Sequence, residues 1–215
     1  MQFLNSTRDE RFNARRDQII AACRICFRKH GFHGAGMAEI AKLSKLSVGQ
    51  IYRYFVNKDA IIEEIVRRIV DGKIQRMTLD RYDFKQLAFH LSRRTRGEYF
   101  PNEQDVSSSS ESLEQTEMDQ ALMQEVAAEA TRNTVVAKIL HDAEIKLFQQ
   151  AKKILSVRYP QLSDVELTAR IELIAVLSEG TSFRLVMQKR ADPEILNNIY
   201  NQCFDAVFPP LNTSK

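Results

Sequence analysis

The run Ser47-Val48-Gly49-Gln50-Ile51-Tyr52-Arg53-Tyr54-Phe55, followed by Val56-Asn57-Lys58-Asp59, holds the side chains best suited to a contact outside the chain. Gln50 can donate and accept at once, the pairing that reads an adenine edge in a major groove. Tyr52 and Tyr54 carry hydroxyls on rigid stems, suited to phosphate oxygens, with Arg53 between them. Lys58 falls at the start of the next helix, where its charge and the first backbone N–H groups can clamp a phosphate. Val48 and Gly49 are small, so the opening turn can approach base edges closely. This is chemistry for binding double-stranded DNA.

A segment this short needs other elements to hold it. Ile19, Ile20, Cys23, Cys26 and Phe27 recur at helical spacing and predict a first helix from about Ala14 to His30, after a loose polar arm over residues 1–14. Gly31 stands where a helix C-terminus favours a left-handed residue. A second helix fits Met37 to about Ser44, opened by Gly36 and turning inward Met37, Ile40 and Ala41. Lys45-Leu46-Ser47 then makes a tight turn, with Ser47 as N-cap of a third helix from Val48 to about Phe55. Helix, tight turn and short helix is the arrangement whose second member lies in the major groove. Asn57 caps a fourth helix reaching about Thr78.

Beyond it, helices fit residues 83–96, 118–131, 134–157, 163–189 and 193–208, and the Ser-rich stretch 97–117 reads as a long loop, disordered or a mobile lid. With seven Gly, five Pro and no period-2 runs, the fold class is all-α. Apolar positions in the helix over 163–189, from Val165 to Val186, cover more than one stripe and need more than one burial partner. The aromatic and Met side chains of the middle helices, Phe89, Tyr99, Phe100, Met123, Phe148, Phe183 and Met187, are pocket candidates, and Glu125 and His141 could orient a polar group.

Charge is unevenly spread. Residues 1–60 hold eleven Lys/Arg against five Asp/Glu, a surplus of six, while the remainder holds twenty against twenty-three. A basic end on an acidic body points to a polyanion partner for that end alone. The absence of an apolar run of bilayer length and of a signal-like start predicts a cytoplasmic protein without a membrane partner. Cys23 and Cys26 spell C-x-x-C, but they share the apolar face of the first helix and lack a second ligand pair, so they read as core. With no metal-ligand spacing, Gly-rich phosphate loop or nucleophile motif, the sequence predicts no metal, no cofactor and no enzyme.

Gly31-Phe32, Glu39-Ile40-Ala41, Leu46 to Phe55 and Asn57-Lys58-Asp59 together resemble the N-terminal domain of the TetR family of bacterial regulators over roughly residues 14–65. The resemblance implies a helix-turn-helix DNA-binding domain over residues 1–58 and a helical domain over 59–215 that binds a small-molecule effector. It also implies a homodimer through the last two helices and a repressor that leaves its operator when the effector binds. Tyr52, Tyr54 and Lys58 then resemble phosphate contacts, and Val48, Gly49 and Gln50 occupy base-facing positions. Ala35-Gly36 stands where the family commonly has Thr or Ser as a cap, and Ser44-Lys45 where it usually has Ala-Gly. A DNA-bound scaffold that recruits a protein through its C-terminal domain is the alternative reading.

Overall fold

The computed structural model describes residues 2–79, 83–94, 110–184 and 191–208. Among these residues it forms nine helices and no strand: α1 (Gln2–Gly34), α2 (Met37–Leu43), α3 (Val48–Ile51), α4 (Lys58–Leu79), α5 (Phe84–Arg94), α6 (Ser110–Ala130), α7 (Thr134–Arg158), α8 (Asp164–Phe183) and α9 (Pro193–Val207). They fall into two compact units, residues 1–70 with 119–143, and residues 71–118 with 144–215.

The first unit buries apolar side chains contributed by four helices. Ile19, Ile20, Cys23, Cys26 and Phe27 of α1 are buried with Ile40 and Ala41 of α2, Ile51 and Phe55 around α3, and Ile61, Ile62, Ile65, Val66 and Ile69 of α4. Each fully buried aliphatic side chain of this size contributes roughly 1.5–3 kcal/mol. A carboxylate is buried among them. Glu64 of α4 accepts from Arg67 (2.7 Å) and Arg68 (2.6 Å) on its own helix and pairs with Arg16 of α1 at 3.1 Å. Arg68 reaches back to Asp17 of α1 at 2.6 Å. These contacts fasten α1 to α4. Residues 119–143 join through the Arg24–Asp119 ion pair and through Glu129, whose carboxylate lies 2.9 Å from His33 Nε2 and accepts from Arg132 at 2.8 Å.

The second unit is built on aromatic packing. Phe84 of α5 stacks on Phe208 (centroids 4.7 Å apart), and Tyr159 lies 5.0 Å from the same ring. Leu91, Leu155, Leu167, Ile171, Ile174 and Phe204 complete the cluster. Ser163 and Glu166 form a reciprocal cap on α8, and Asp192 caps α9 with Pro193 in its first turn.

Three sequence expectations are corrected. The loose arm is helix: α1 begins at Gln2. The stretch 2–14 contains no Gly or Pro to break a helix, and residues 8–14 are exposed, so their polarity marks a solvated helix and not coil. Of the loop expected over 97–117, residues 97–109 lie outside the described residues, and from Ser110 onward the chain is the first turns of α6. The third helix stops at Ile51 rather than near Phe55, and Arg53 and Tyr54 continue it with tighter i to i+3 bonds (3.2 and 2.9 Å).

Burial pushes the Glu64 carboxyl up, but the arginine hydrogen bonds and charges outweigh it and hold it at about 2, below the ordinary 4.5. A depressed value means the folded state favours the ion, so the stabilisation is complete above about 4.5 and is lost as pH falls toward about 2. Glu64→Gln should therefore destabilise the protein by about 2 kcal/mol near neutrality. Denaturant melts at pH 7 and pH 3 test it: the gap between wild type and variant should shrink at pH 3, and an unchanged gap refutes the assignment.

Candidate nucleic-acid interface

The turn between α2 and α3 is set by backbone hydrogen bonds. Lys45 N–H donates to the Lys42 carbonyl (3.2 Å) and Leu46 N–H to the Ala41 carbonyl (3.0 Å). This paired closure requires a left-handed residue at Lys45, whose φ is 52°. Lysine thus occupies a conformation that glycine adopts at lower cost. The turn is tied to α1 by Gln18, whose amide donates to the Ser44 carbonyl at 2.5 Å. At the other end of α2, Gly36 supplies no side-chain cap, and only its carbonyl accepts, from Glu39 and Ile40 N–H at 3.1 Å. Met37 is half-buried beside it.

Ser47 and Gln50 cap α3 reciprocally. Gln50 N–H donates to Ser47 Oγ (3.2 Å) and Ser47 N–H to Gln50 Oε1 (2.8 Å). The carboxamide oxygen that could accept from a base is thus engaged in holding the helix start. Ile51 is fully buried and Val48 half-buried, while Ser47, Gly49, Gln50 and Arg53 are exposed. Gly49 is needed by nothing inside the fold: its backbone is not left-handed, and an added Cβ would meet no atom within 4 Å.

Beyond α3, Tyr52 is 48% exposed. Tyr54 is half-buried, its ring 4.9 Å from Phe12 of α1. Lys58 folds over two rings, its Nζ 4.6 Å from the Phe32 centroid and 5.9 Å from Phe27. Burial lowers its pKa below the usual lysine value, against the opposing pull of Cys23, Glu129 and Asp59. Its ammonium must leave these rings to meet a phosphate. An open cleft of about 300 Å³ lies alongside, lined by Arg16, Tyr54, Phe55, Val56, Ala60, Glu63, Glu64 and Arg67. Phe12, Arg16 and Glu64 were missed from sequence, although Phe12 continues the Ile19–Cys23–Cys26 stripe by one helical repeat upstream.

The pocket candidates are divided between the units. Met123, Glu125 and His141 belong to the first, where Met123 and Glu125 are half-buried and His141 is exposed. Glu125 Oε2 lies 3.3 Å from where a Cβ on Gly31 would stand, and Gly31 has φ 66°. Phe89, Phe148 and Phe183 belong to the second. Phe148 packs on the aromatic core, Phe89 is exposed beneath the Arg93 guanidinium (3.6 Å), and Phe183 is 62% exposed. Tyr99, Phe100 and Met187 lie outside the described residues. Cys23 and Cys26 are buried, and burial pushes the Cys23 thiol up to about 12, which suits core packing. Among the described residues no cluster of three His, Cys, Asp or Glu is arranged to hold a metal, and no helix is long and apolar enough to cross a membrane.

A family model described as bacterial regulatory proteins, tetR family, matches residues 19–65. The chain is similar to the HTH-type transcriptional regulator UidR of Escherichia coli (strain K12), at 39% identity over 51 residues, which is 24% of this chain and 26% of that protein. It is also similar to RutR of the same organism, at 31% identity over 81 residues and 38% of each chain. These matches span only about a quarter to two-fifths of the curated relatives. Likeness in fold extends further. Salmonella enterica GusR superposes with a TM-score of 0.65 at 20% identity, covering 92% of this chain and 96% of that one. FadR from Bacillus subtilis in complex with stearoyl-CoA gives 0.60 at 17% identity, covering 89% and 97%. A regulator from Saccharomonospora viridis in complex with choline also gives 0.60, at 18% identity over 88% and 95%.

Lys45→Gly should relieve the left-handed strain and raise stability by up to about 1 kcal/mol, net of the extra chain entropy of glycine. Thermal melts test this, and a loss of about 1 kcal/mol, as for glycine inside a helix, counts against the strain.

Proposed function

We propose, on the match of residues 19–65 to the model for bacterial regulatory proteins of the tetR family, that the chain is a member of that family and acts as a cytoplasmic, homodimeric DNA-binding transcriptional regulator. It acts as a repressor that a small-molecule effector releases from its operator. The observation that carries the DNA reading is Gly49. A glycine that neither the backbone nor the packing requires, exposed in the first turn of a helix, is explained by close approach of an outside surface. Gln50 reads the base edge after exchanging its cap bond for an intermolecular one. Tyr52, Arg53, Tyr54, Lys45 and Lys58 hold phosphates around it.

The dimer reading rests on α8 and α9. Ile195 and Ile199 of α9 are 62% and 53% exposed on the face opposite Phe204 and Phe208, and Val176 and Phe183 of α8 are also exposed. An apolar helix with two apolar faces needs a second partner, and a second copy of the chain satisfies it with one self-complementary surface. Residues 59–215 take the effector, and the solved relatives that hold choline and stearoyl-CoA support an effector role for such a domain. Those two ligands differ so much in chemistry that neither transfers to this chain. Coupling runs through α4, whose residues belong to both units and whose first residue is Lys58.

Selection of bound DNA from a random duplex pool tests the reading, and failure to enrich any sequence defeats it. On the selected operator, Tyr52→Phe and Lys58→Ala should weaken binding to all sequences. Lys58→Ala should reduce the salt slope by about one, while Gln50→Ala should relax preference at one base pair. The paired change Ile195→Glu with Ile199→Glu should yield a folded monomer in sedimentation and lose operator affinity. A wild-type chain that sediments as a monomer at micromolar concentration refutes the dimer.

A further inference from the structure

The N-terminal stretch of α1 extends well past the core. The helix starts at Gln2, residues 8–15 are all exposed, and from Arg8 onward Ile19 is the first fully buried residue. At about 100° per residue, Arg8, Arg11, Arg15 and Arg16 fall with Phe12 inside an arc of about 140°. Asp9, Glu10, Asn13 and Ala14 lie outside it. The same arc further along the helix carries Ile19, Cys23 and Cys26, so the stripe that faces the core downstream becomes an arginine stripe where the core runs out.

Two contacts fix where this stripe sits. The Phe12 ring packs against Tyr54 at 4.9 Å, and the Arg16 guanidinium lies 4.8 Å over the Phe55 ring. The stripe therefore lies against the C-terminal end of the reading segment, and Arg8, Arg11 and Arg15 are each within about one helical turn of the residue that touches Tyr54. Arg16 is already held by Glu64. Arg15 donates to the neutral Gln18 at 2.7 Å, and among the described residues no carboxylate pairs with Arg8, Arg11 or Arg15. Three unneutralised arginines on one rigid face beside a phosphate-gripping tyrosine are complementary to a DNA backbone.

We infer that the α1 extension is a second DNA-contact surface, on which Arg8, Arg11 and Arg15 bind backbone phosphates flanking the base pairs read by α3. The inference rests on the DNA-binding reading above. The surface adds affinity and widens the footprint without reading sequence, because its side chains meet phosphates only.

The test uses the full chain and an operator taken from the random-pool selection. In the Arg8→Gln, Arg11→Gln, Arg15→Gln variant, glutamine keeps the helix and removes the charge. The slope of log affinity against log salt should fall by about 0.9 for each phosphate lost, close to three in all, and hydroxyl-radical protection should disappear at the flanks while the centre stays protected. The Arg→Lys version of the same three sites should restore most of the slope. A control variant, Arg28→Gln, Lys85→Gln, Lys153→Gln, removes equal charge from exposed positions elsewhere. An unchanged slope and footprint in the first variant overturns the inference, and so does an equal fall in the control. If wild type enriches no sequence at all, the DNA reading itself has failed, an outcome visible before any arginine is changed.

Discussion

A buried carboxylate on α4 sets the geometry on which the first unit depends. Glu64 cannot leave water without partners, and the partners it takes are Arg67 and Arg68 from its own helix and Arg16 from α1. The net stabilisation from such a cluster is modest, but its directionality is not. Hydrophobic contacts between α1 and α4 would tolerate sliding or rotation; a carboxylate shared by fixed guanidinium forks does not. Arg16 also stacks on Phe55, so the same cluster fixes the chain just after α3. A four-residue helix has no cooperative stability of its own. Its position is inherited from this frame, from buried Ile51 and from its caps.

Within the reading segment, structural and contact roles compete for the same atoms. Gln50 holds the helix start with the oxygen it would offer to a base. Lys45 occupies a left-handed position where glycine costs less. Lys58 rests its ammonium on Phe32 and Phe27. In the DNA-binding reading proposed above, contact with a base or a phosphate would replace the local interactions of Gln50 and Lys58. Local rules broken at several neighbouring sites are what a functional surface looks like.

The second unit follows a different logic. Its interior is closed by Phe84, Tyr159, Phe204 and Phe208, and polar caps at Ser163 and Asp192 finish its helices. What remains unsatisfied is apolar surface on α8 and α9. A core explains residues that disappear from solvent, and exposed Ile195, Ile199 and Phe183 require a different explanation.

Helix periodicity and punctuation made the helical class, the helix-turn-helix, Gly31 and the caps at Ser47 and Asn57 legible in the chain, because these are short-range effects in which a residue acts on backbone within four positions of itself. The helical nature of residues 2–14 and 110–117 was not legible, since both stretches are mostly polar. Nor were the pairings between distant residues: Glu64 with Arg16, Phe12 with Tyr54, Lys58 over Phe32, and Glu129 with His33. A charged or aromatic side chain reads the same in sequence whether it is solvated or paired. Only the packing of one helix on another decides which groups come within the few ångströms where electrostatic and ring contacts act.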